Sequence, residues 1–372
     1  MTFRGLTWDH PRGRLALERA GGPVTWDVQP LEGFESAPIR ETCANYDLVV
    51  LDHPHLGEAL NAGCLRPLDE LFAAADLDAI GARTIGPCLE SYEMAGRLWA
   101  LPLDAATQVM AVRGDMVQDV PRTWDAVLDM ARAGGKVGLS LAGPHAFLSF
   151  LSVAQALNPG MDLRNGDVWV PTDTATQALA ILGELARLTP EQVWPLNPIG
   201  ILDLMSNSDA LALCPLVYGY VNYADHALDK PIDFHDAPSI DDGAPGSILG
   251  GTGIAVSTRC EMTEDLRAHL LWLMREDTQT GFIPQNAGQP SARAAWQNAD
   301  VNAPVGGFYA QTTRTLETAS IRPRHDGFIA FQSDASALLR EGFQSNCPDG
   351  RLASDLADLF SRSQKTVGRK AG

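Results

Sequence analysis

Two short stretches carry the same run of ionisable and turn-forming residues. One is TWDHPRG, residues 7–13, and the other is LDHPHLG, residues 51–57. Each sets Asp-His-Pro directly after a short apolar run, and together they hold three of the eight histidines of the chain. Proline removes a backbone donor and biases the residue before it toward extended geometry, so the chain must leave a sheet at both points. The side chains left there can do several kinds of chemistry. Asp9 and Asp52 can accept hydrogen bonds from hydroxyls or pair with a cation. His10, His53 and His55 can donate or accept, and they titrate near neutral pH. Trp8 offers a flat apolar face, a platform for a sugar ring or, by cation–π attraction, for a quaternary ammonium. Arg12 adds a charged donor beside them.

Three readings compete for this cluster. In the first, each aspartate caps the turn or helix that follows and each histidine bonds a local carbonyl. In the second, the side chains contact a small polar solute. In the third they are catalytic or hold a divalent metal, with His10 or His53 as general base and Asp9 or Asp52 orienting it. No H-x-x-x-H or H-E-x-x-H spacing occurs, and the H-x-H of His53 and His55 is a weak metal signal, so no metal site is assigned.

The elements that must position these residues alternate between strand and helix. FRGLTW reads as a strand, RLALERA from Arg14 as a helix and VTWDVQP from Val24 as a second strand. YDLVVLDHP from Tyr46 holds a continuous apolar run, as in a strand buried on both faces of a parallel sheet. LGEALNAG is a short helix closed by Gly63, and CLRPLDELFAAA is a loop and then a helix. Such alternation predicts an α/β lobe. Residues 96–116 read as two extended segments interrupted at Leu101-Pro102-Leu103-Asp104. PRTWDAVLDMARAG is a helix with Thr123 as its N-cap and Trp124, Val127, Leu128 and Ala131 on one face. PHAFLSFLSVAQAL, TATQALAILGELARL and DLRAHLLWLM are helical, and SILGGTGIAVS is a strand with a Gly-Gly-Thr-Gly break. DFHDAPSIDDG is an acidic, solvated loop, and the chain ends in a polar tail, KTVGRKAG.

Bulk properties narrow the function classes. The 372 residues suffice for two lobes. A formal net charge of −18 argues against a nucleic-acid backbone or an anionic membrane surface as partner. No run of about 18 apolar residues marks a membrane span. The six cysteines are scattered without a C-x-x-C pair, which predicts buried free thiols rather than a zinc site or a disulfide framework. No P-loop, dinucleotide fingerprint or G-x-S-x-G elbow occurs, and no cofactor is expected. MTFRGLTW lacks a basic n-region and an apolar h-region, so the sequence as it stands reads as cytoplasmic; it reads as periplasmic or extracellular if a leader was removed.

Four passages in order resemble the family 1 extracellular solute-binding proteins, the sugar-type binding subunits of ABC importers. YDLVVLDHPHLGEALNAGCLRPLDEL is similar to that family's strand, helix, glycine and L-x-P-L-D-E-L. YEMAGRLWALPLDAATQVMAVRGDM is similar to its crossover into the second lobe, PRTWDAVLDMA to its P-x-T-W-D helix start, and GSILGGTGIAVS to its glycine-rich return strand. The resemblance implies a periplasmic-binding-protein-like fold, two hinge-linked α/β lobes with the ligand in the cleft between them. It implies crossings near Asp104 to Val112, Leu249 to Ile254 and Gly288 to Ser291. Lobe one would be 1–108 plus 251–288, and lobe two 109–250 plus 289–372. It also implies a small polar ligand (a sugar, polyol, small organic acid or betaine), a monomer, and an ABC permease as partner if the protein is exported.

Further candidates follow from that placement. Asp104 and Gln108 lie in the first crossing, where they contact ligand or make a hinge hydrogen bond. Gly250, Gly251 and Thr252 offer backbone amides at a strand break, or a bulge that needs glycine. His145 opens a helix. Tyr218, Tyr220, Asn222 and Tyr223 form a ligand wall or pack into a core. Arg322 and Arg324 flank Pro323 and can fork onto a carboxylate or phosphate, or pair on the surface. The leading reading is a binder that closes on its ligand; the alternative is a cytoplasmic enzyme or ligand sensor on the same fold, using Asp9, His10, Asp52 and His53 for acid/base or metal chemistry.

Overall fold

The structure, a computed structural model, describes residues 2–164 and 169–369, so the last three residues of the polar tail and of the expected second lobe lie outside the described residues. The chain forms two compact units. The first takes residues 1–106, 250–304 and 324–326, and the second takes 107–249, 305–323 and 327–372. Residues 289–304, read from sequence as part of lobe two, pack with the first unit. The cause is local. Ala105 N donates to Gln289 O at 3.0 Å, the Gln289 amide returns a bond to Ala105 O at 3.0 Å, and the Trp296 indole donates to Pro290 O at 2.8 Å.

The strands in chain order are β1 (Phe3–Trp8), β2 (Val24–Gln29), β3 (Leu48–Leu51), β4 (Glu93–Met94), β5 (Arg97–Leu98), β6 (Ala100–Val112), β7 (Leu213–Tyr218), β8 (Asp233–His235) and β9 (Leu249–Val256). The first eight helices are α1 (Pro11–Arg19), α2 (Leu31–Ser36), α3 (Ile39–Asn45), α4 (Leu56–Ala62), α5 (Ala74–Arg83), α6 (Trp124–Arg132), α7 (His145–Leu157) and α8 (Thr172–Leu188). In the first unit β1 pairs in parallel with β2 and β3, and β3 pairs antiparallel with β9. All four residues of β3 are buried, as its unbroken apolar run requires. Helix α4 ends at Gly63 in the left-handed conformation (φ 58°), where glycine carries no Cβ penalty.

Two strands run through points where the sequence suggests a break. β6 is continuous over Ala100–Val112 and wholly buried. Pro102 fits because its fixed φ is compatible with extended backbone, and its carbonyl accepts from the Ser291 hydroxyl. β9 runs unbroken through Gly250-Gly251-Thr252-Gly253. Gly251 has φ 90°, and a Cβ there would stand 2.3 Å from Asp104 O, so close backbone approach rather than chain interruption selects the glycine.

In the second unit β6 pairs antiparallel with β7 and β8. The stretch read as a solvated acidic loop supplies β8, whose Phe234 is buried. α6 starts as expected, with the Thr123 hydroxyl accepting from Ala126 N at 3.3 Å. The core gathers α6, α7 and α8 against the helices Phe328–Ser345 and Asp349–Arg369. Phe147, Phe150, Phe331 and Phe360 crowd around Trp169, whose ring lies 4.6 Å from that of Phe360.

Candidate functional site

The first Asp-His-Pro turns β1 into α1. His10 is the N-cap: its Nδ1 accepts from Arg12 N at 3.2 Å, and Pro11 sits at the first helical position, where a missing donor costs nothing. Burial lowers the His10 pKa to about 4, helped by Arg12 and Arg14 and opposed by Asp9, so the ring is neutral at pH 7. Asp9 turns outward, 57% exposed, and pairs with Arg14 at 3.0 Å. Trp8 is only 2% exposed. One face stacks on His10 with ring centroids 5.3 Å apart, and a Cβ on Gly13 would press its indole at 2.3 Å. Trp8 is therefore packed into the first unit and is not a bare platform.

The second Asp-His-Pro follows β3 and does the same local job one residue out of step. Asp52 is the cap, accepting from His53 N at 2.9 Å, and Pro54 falls one position later in the short turn His53–His55. His53 is fully buried and His55 nearly so, with the Tyr92 ring edge-on to His53 at 6.5 Å. Neither histidine stands on an exposed rim. Asp52 and His10 each cap the turn or helix that follows, and Asp9 pairs with Arg14.

What the first unit does assemble is a pair 92 positions apart. Arg12 grips Asp104 with both prongs: Nε donates to Oδ2 at 2.9 Å and Nη2 donates to Oδ1. Both side chains are buried, at 4% and 6% exposure. The Arg12 guanidinium also lies 5.7 Å from the Trp8 ring centroid. Arg12, Asp104, Thr252 and Gln289 line a small cavity of about 10 Å³, about the room of one water molecule. This is a charged donor fork, a carboxylate, a hydroxyl and an amide in one desolvated spot, and it can satisfy a hydroxyl in both directions.

The second unit holds the remaining candidates. Gln108 is fully buried, and its amide is engaged at both ends by α7: Ser152 Oγ donates to its Oε1 at 2.6 Å, and its Nε2 donates to Ser149 Oγ at 3.3 Å. Tyr218 ends β7 opposite Gln108, and the His145 ring meets it edge-on at 5.9 Å. His145 opens α7, is buried, and has its pKa lowered to about 3 by burial and by Arg322 and Arg340. Tyr220 is buried, and the Tyr223 hydroxyl donates to Asp203 at 2.6 Å. Arg322 is buried and donates to Gln332 at 3.3 Å.

The two arginines around Pro323 fall in different units. Arg322 belongs to the second unit and Arg324 to the first. Arg324 Nη1 donates to the carbonyls of Ser91 at 2.9 Å and Glu93 at 2.6 Å, closing the turn before β4. Sequence reasoning missed Ser149, Ser152 and Gln289. The serines carried a legible signal, two hydroxyls three residues apart on a mostly apolar helix, and Gln289 lies within the expected Gly288 to Ser291 crossing although it was not singled out. Among the described residues no group of three or more His, Cys, Asp or Glu is arranged to hold a metal ion, and no helix is long and apolar enough to cross a membrane.

The chain thus combines two α/β units, each with buried polar side chains. Residues 37–306 match the bacterial extracellular solute-binding proteins, and the chain belongs to that family. Membership brings a small-molecule ligand and an ABC permease partner, and a place of work outside the cytoplasm. Solved structures agree in fold along the whole length. The ABC transporter solute-binding protein of Agrobacterium radiobacter K84, in complex with ribitol, is 19% identical with TM-score 0.78, over 98% of this chain and 98% of that one. The maltose-bound MalE3 of T. maritima is 17% identical with TM-score 0.78, over 97% and 99%. The Agrobacterium vitis S4 protein with bound D-mannitol is 17% identical with TM-score 0.75, over 99% and 99%.

Proposed function

We propose that this protein binds a neutral sugar or polyol and delivers it to an ABC permease, acting as a monomer in the periplasm. The observation that carries the reading is the buried Arg12–Asp104 pair with Thr252 beside it. A hydroxyl can donate to the carboxylate while accepting from the guanidinium or from Thr252, and a neutral ligand leaves the charge balance of the pair intact. An organic acid would bring a second negative charge beside Asp104. A betaine needs an open aromatic face, and both Trp8 and His10 are already stacked. The ribitol, mannitol and maltose held by the structural neighbours support the same class. Of the remaining candidates, Tyr218, Tyr220 and Arg322 are the second unit's contribution to test, and Gly251 acts through its backbone.

The enzyme reading is not favoured. Its bases are spoken for: His10 Nδ1 caps α1, and His53 is buried behind Asp52. A thermal-shift screen of pentitols, hexitols, mono- and disaccharides, organic acids and betaines tests the proposal. A sugar or polyol should raise the melting temperature progressively with concentration, since a ligand at 100 times its Kd stabilises by about 2.7 kcal/mol. Asp104→Asn should abolish the response. A response confined to acids or betaines, or conversion of the ligand to product, would overturn the assignment.

A further inference from the structure

Residues 288–292 run beside β6 in the first unit and supply Gly288 and Gln289 to the Arg12–Asp104 cavity. Two prolines limit the backbone bonding there. Pro290 faces Asp104 and Pro102 lies on β6, and neither has an N–H to donate. Side chains complete the join. The Gln289 amide donates to Ala105 O at 3.0 Å, the Ser291 hydroxyl donates to Pro102 O, and the Trp296 indole donates to Pro290 O at 2.8 Å. Away from β6 the segment is tied to Gln279, whose Oε1 accepts from Ser291 N at 2.7 Å and from Ala292 N at 3.2 Å. The Gln279 Nε2 donates to Leu273 O at 2.9 Å, so both ends of this fully buried amide are used. Gln279 sits in a single π-helical turn, Thr278–Phe282, closed by Ile283 N donating to Thr278 O. Such single turns recur at functional sites. Ile283, the next residue, lines the cavity itself.

We propose that Gln279 is a positioning residue for the hydroxyl-binding site at Arg12 and Asp104, and the proposal rests on the sugar or polyol reading of that site. Gln279 is not among the residues that line the cavity, so it acts through Ser291 and Ala292. By holding those two amides it fixes the wall that Gly288 and Gln289 give the cavity. A space of about 10 Å³ leaves no slack. There a shift of about 1 Å takes a 3.0 Å hydrogen bond out of range. Without the Gln279 amide, two buried backbone donors lose their acceptor, and the segment relieves that cost by drawing away from β6. Gln289 and its bonds to Ala105 move with it, and the ligand meets a wall out of place.

The test compares the full-length parent with Gln279→Met and Gln279→Glu, each checked for folding by circular dichroism. Methionine keeps the length and loses every bond; glutamate keeps the acceptor and loses only the bond to Leu273 O. Gln279→Asn, one methylene short of Ser291 N, replaces the methionine variant if that one does not fold. The first readout needs no ligand. It is hydrogen exchange at the Ala105 amide, which donates to Gln289 O. Exchange should be about tenfold faster or more in Gln279→Met and return most of the way to the parent rate in Gln279→Glu. Gly63→Ala, a control in the same unit with open space around its new methyl, should change it far less. The second readout is calorimetric titration with ribitol, D-mannitol and maltose. Any of these that binds the parent should bind Gln279→Met about tenfold more weakly and Gln279→Glu within about threefold of the parent. Unchanged Ala105 exchange in Gln279→Met, equal acceleration in Gly63→Ala, or faster exchange with undiminished affinity would overturn the proposal. If none of the three binds the parent, the sugar reading of the site fails, and Ala105 exchange alone decides whether Gln279 holds this wall.

Discussion

Arg12 and Asp104 hold each other in a two-pronged, buried ion pair across 92 residues of sequence, Nε to Oδ2 at 2.9 Å. Each charge is tolerated in the interior because the other is present. Arg12→Ala therefore leaves a buried carboxylate uncompensated and should cost about 3–5 kcal/mol of unfolding free energy in a urea titration. Adding Asp104→Ala to it should cost much less than the sum of the two single changes, because the second change removes the charge that the first exposed. Additive costs would show that the two side chains are held by other contacts.

That pair also marks how far sequence reading reaches here. Strands β1, β2 and β3, the caps at Thr123 and Gly63 and the order of the family motifs were legible, because each depends on residues within a few positions of one another. The Asp-His-Pro echo was legible too, but its meaning was not. Whether a polar side chain after a strand faces a ligand, solvent or its own helix depends on its partners. For His10 the partner is Arg12 N, for Asp9 it is Arg14 and for Asp52 it is His53 N. The pairing of Arg12 with Asp104, and the serine contacts of Gln108, join distant segments through tertiary packing, and no local pattern announces them.

His10 makes stability depend on pH. Its folded pKa is about 4, against about 6.5 for an unperturbed histidine. Between those values the unfolded chain binds a proton that the folded protein refuses, so stability is full above pH 6.5 and falls as the pH drops toward 4. His10→Asn keeps a capping acceptor and removes the titration. Melting temperatures of parent and variant should therefore differ less at pH 5 than at pH 7 if the variant is the weaker cap, or cross over. A gap unchanged between the two pH values would show that His10 is not titrating there. His145 is lowered in the same direction and leaves a residual slope in both proteins.

Two glycines with positive φ should respond differently to alanine. Gly63 has open space around the position of a Cβ, so Gly63→Ala meets only the left-handed backbone cost, about 1 kcal/mol. Gly251 has φ 90°, and its Cβ would clash with Asp104 O at 2.3 Å and crowd Ala105 Cα at 3.1 Å. Gly251→Ala should cost well over 2 kcal/mol, the strain of its backbone added to the displacement of β6 at Asp104. Equal costs in parallel denaturant titrations would mean that β6 yields freely at this point.

Gln108 separates a structural from a ligand role in the second unit. Its amide oxygen takes the Ser152 hydroxyl at 2.6 Å, and that same serine oxygen accepts from Ile248 N at 3.1 Å. The Gln108 carbonyl accepts from Ser247 Oγ at 2.6 Å. Gln108→Ala deletes the side-chain bonds, strands the Ser152 proton in a buried site and opens a void, so the ligand-free protein should lose about 2–3 kcal/mol. The backbone carbonyl bond to Ser247 survives the change, which limits the loss to the side chain. The discriminating measurement is made without ligand. A large loss there identifies Gln108 as the tie between β6 and α7. Unchanged stability with weakened sugar binding in a titration would instead move Gln108 from the packing of that unit to the surface that meets the solute.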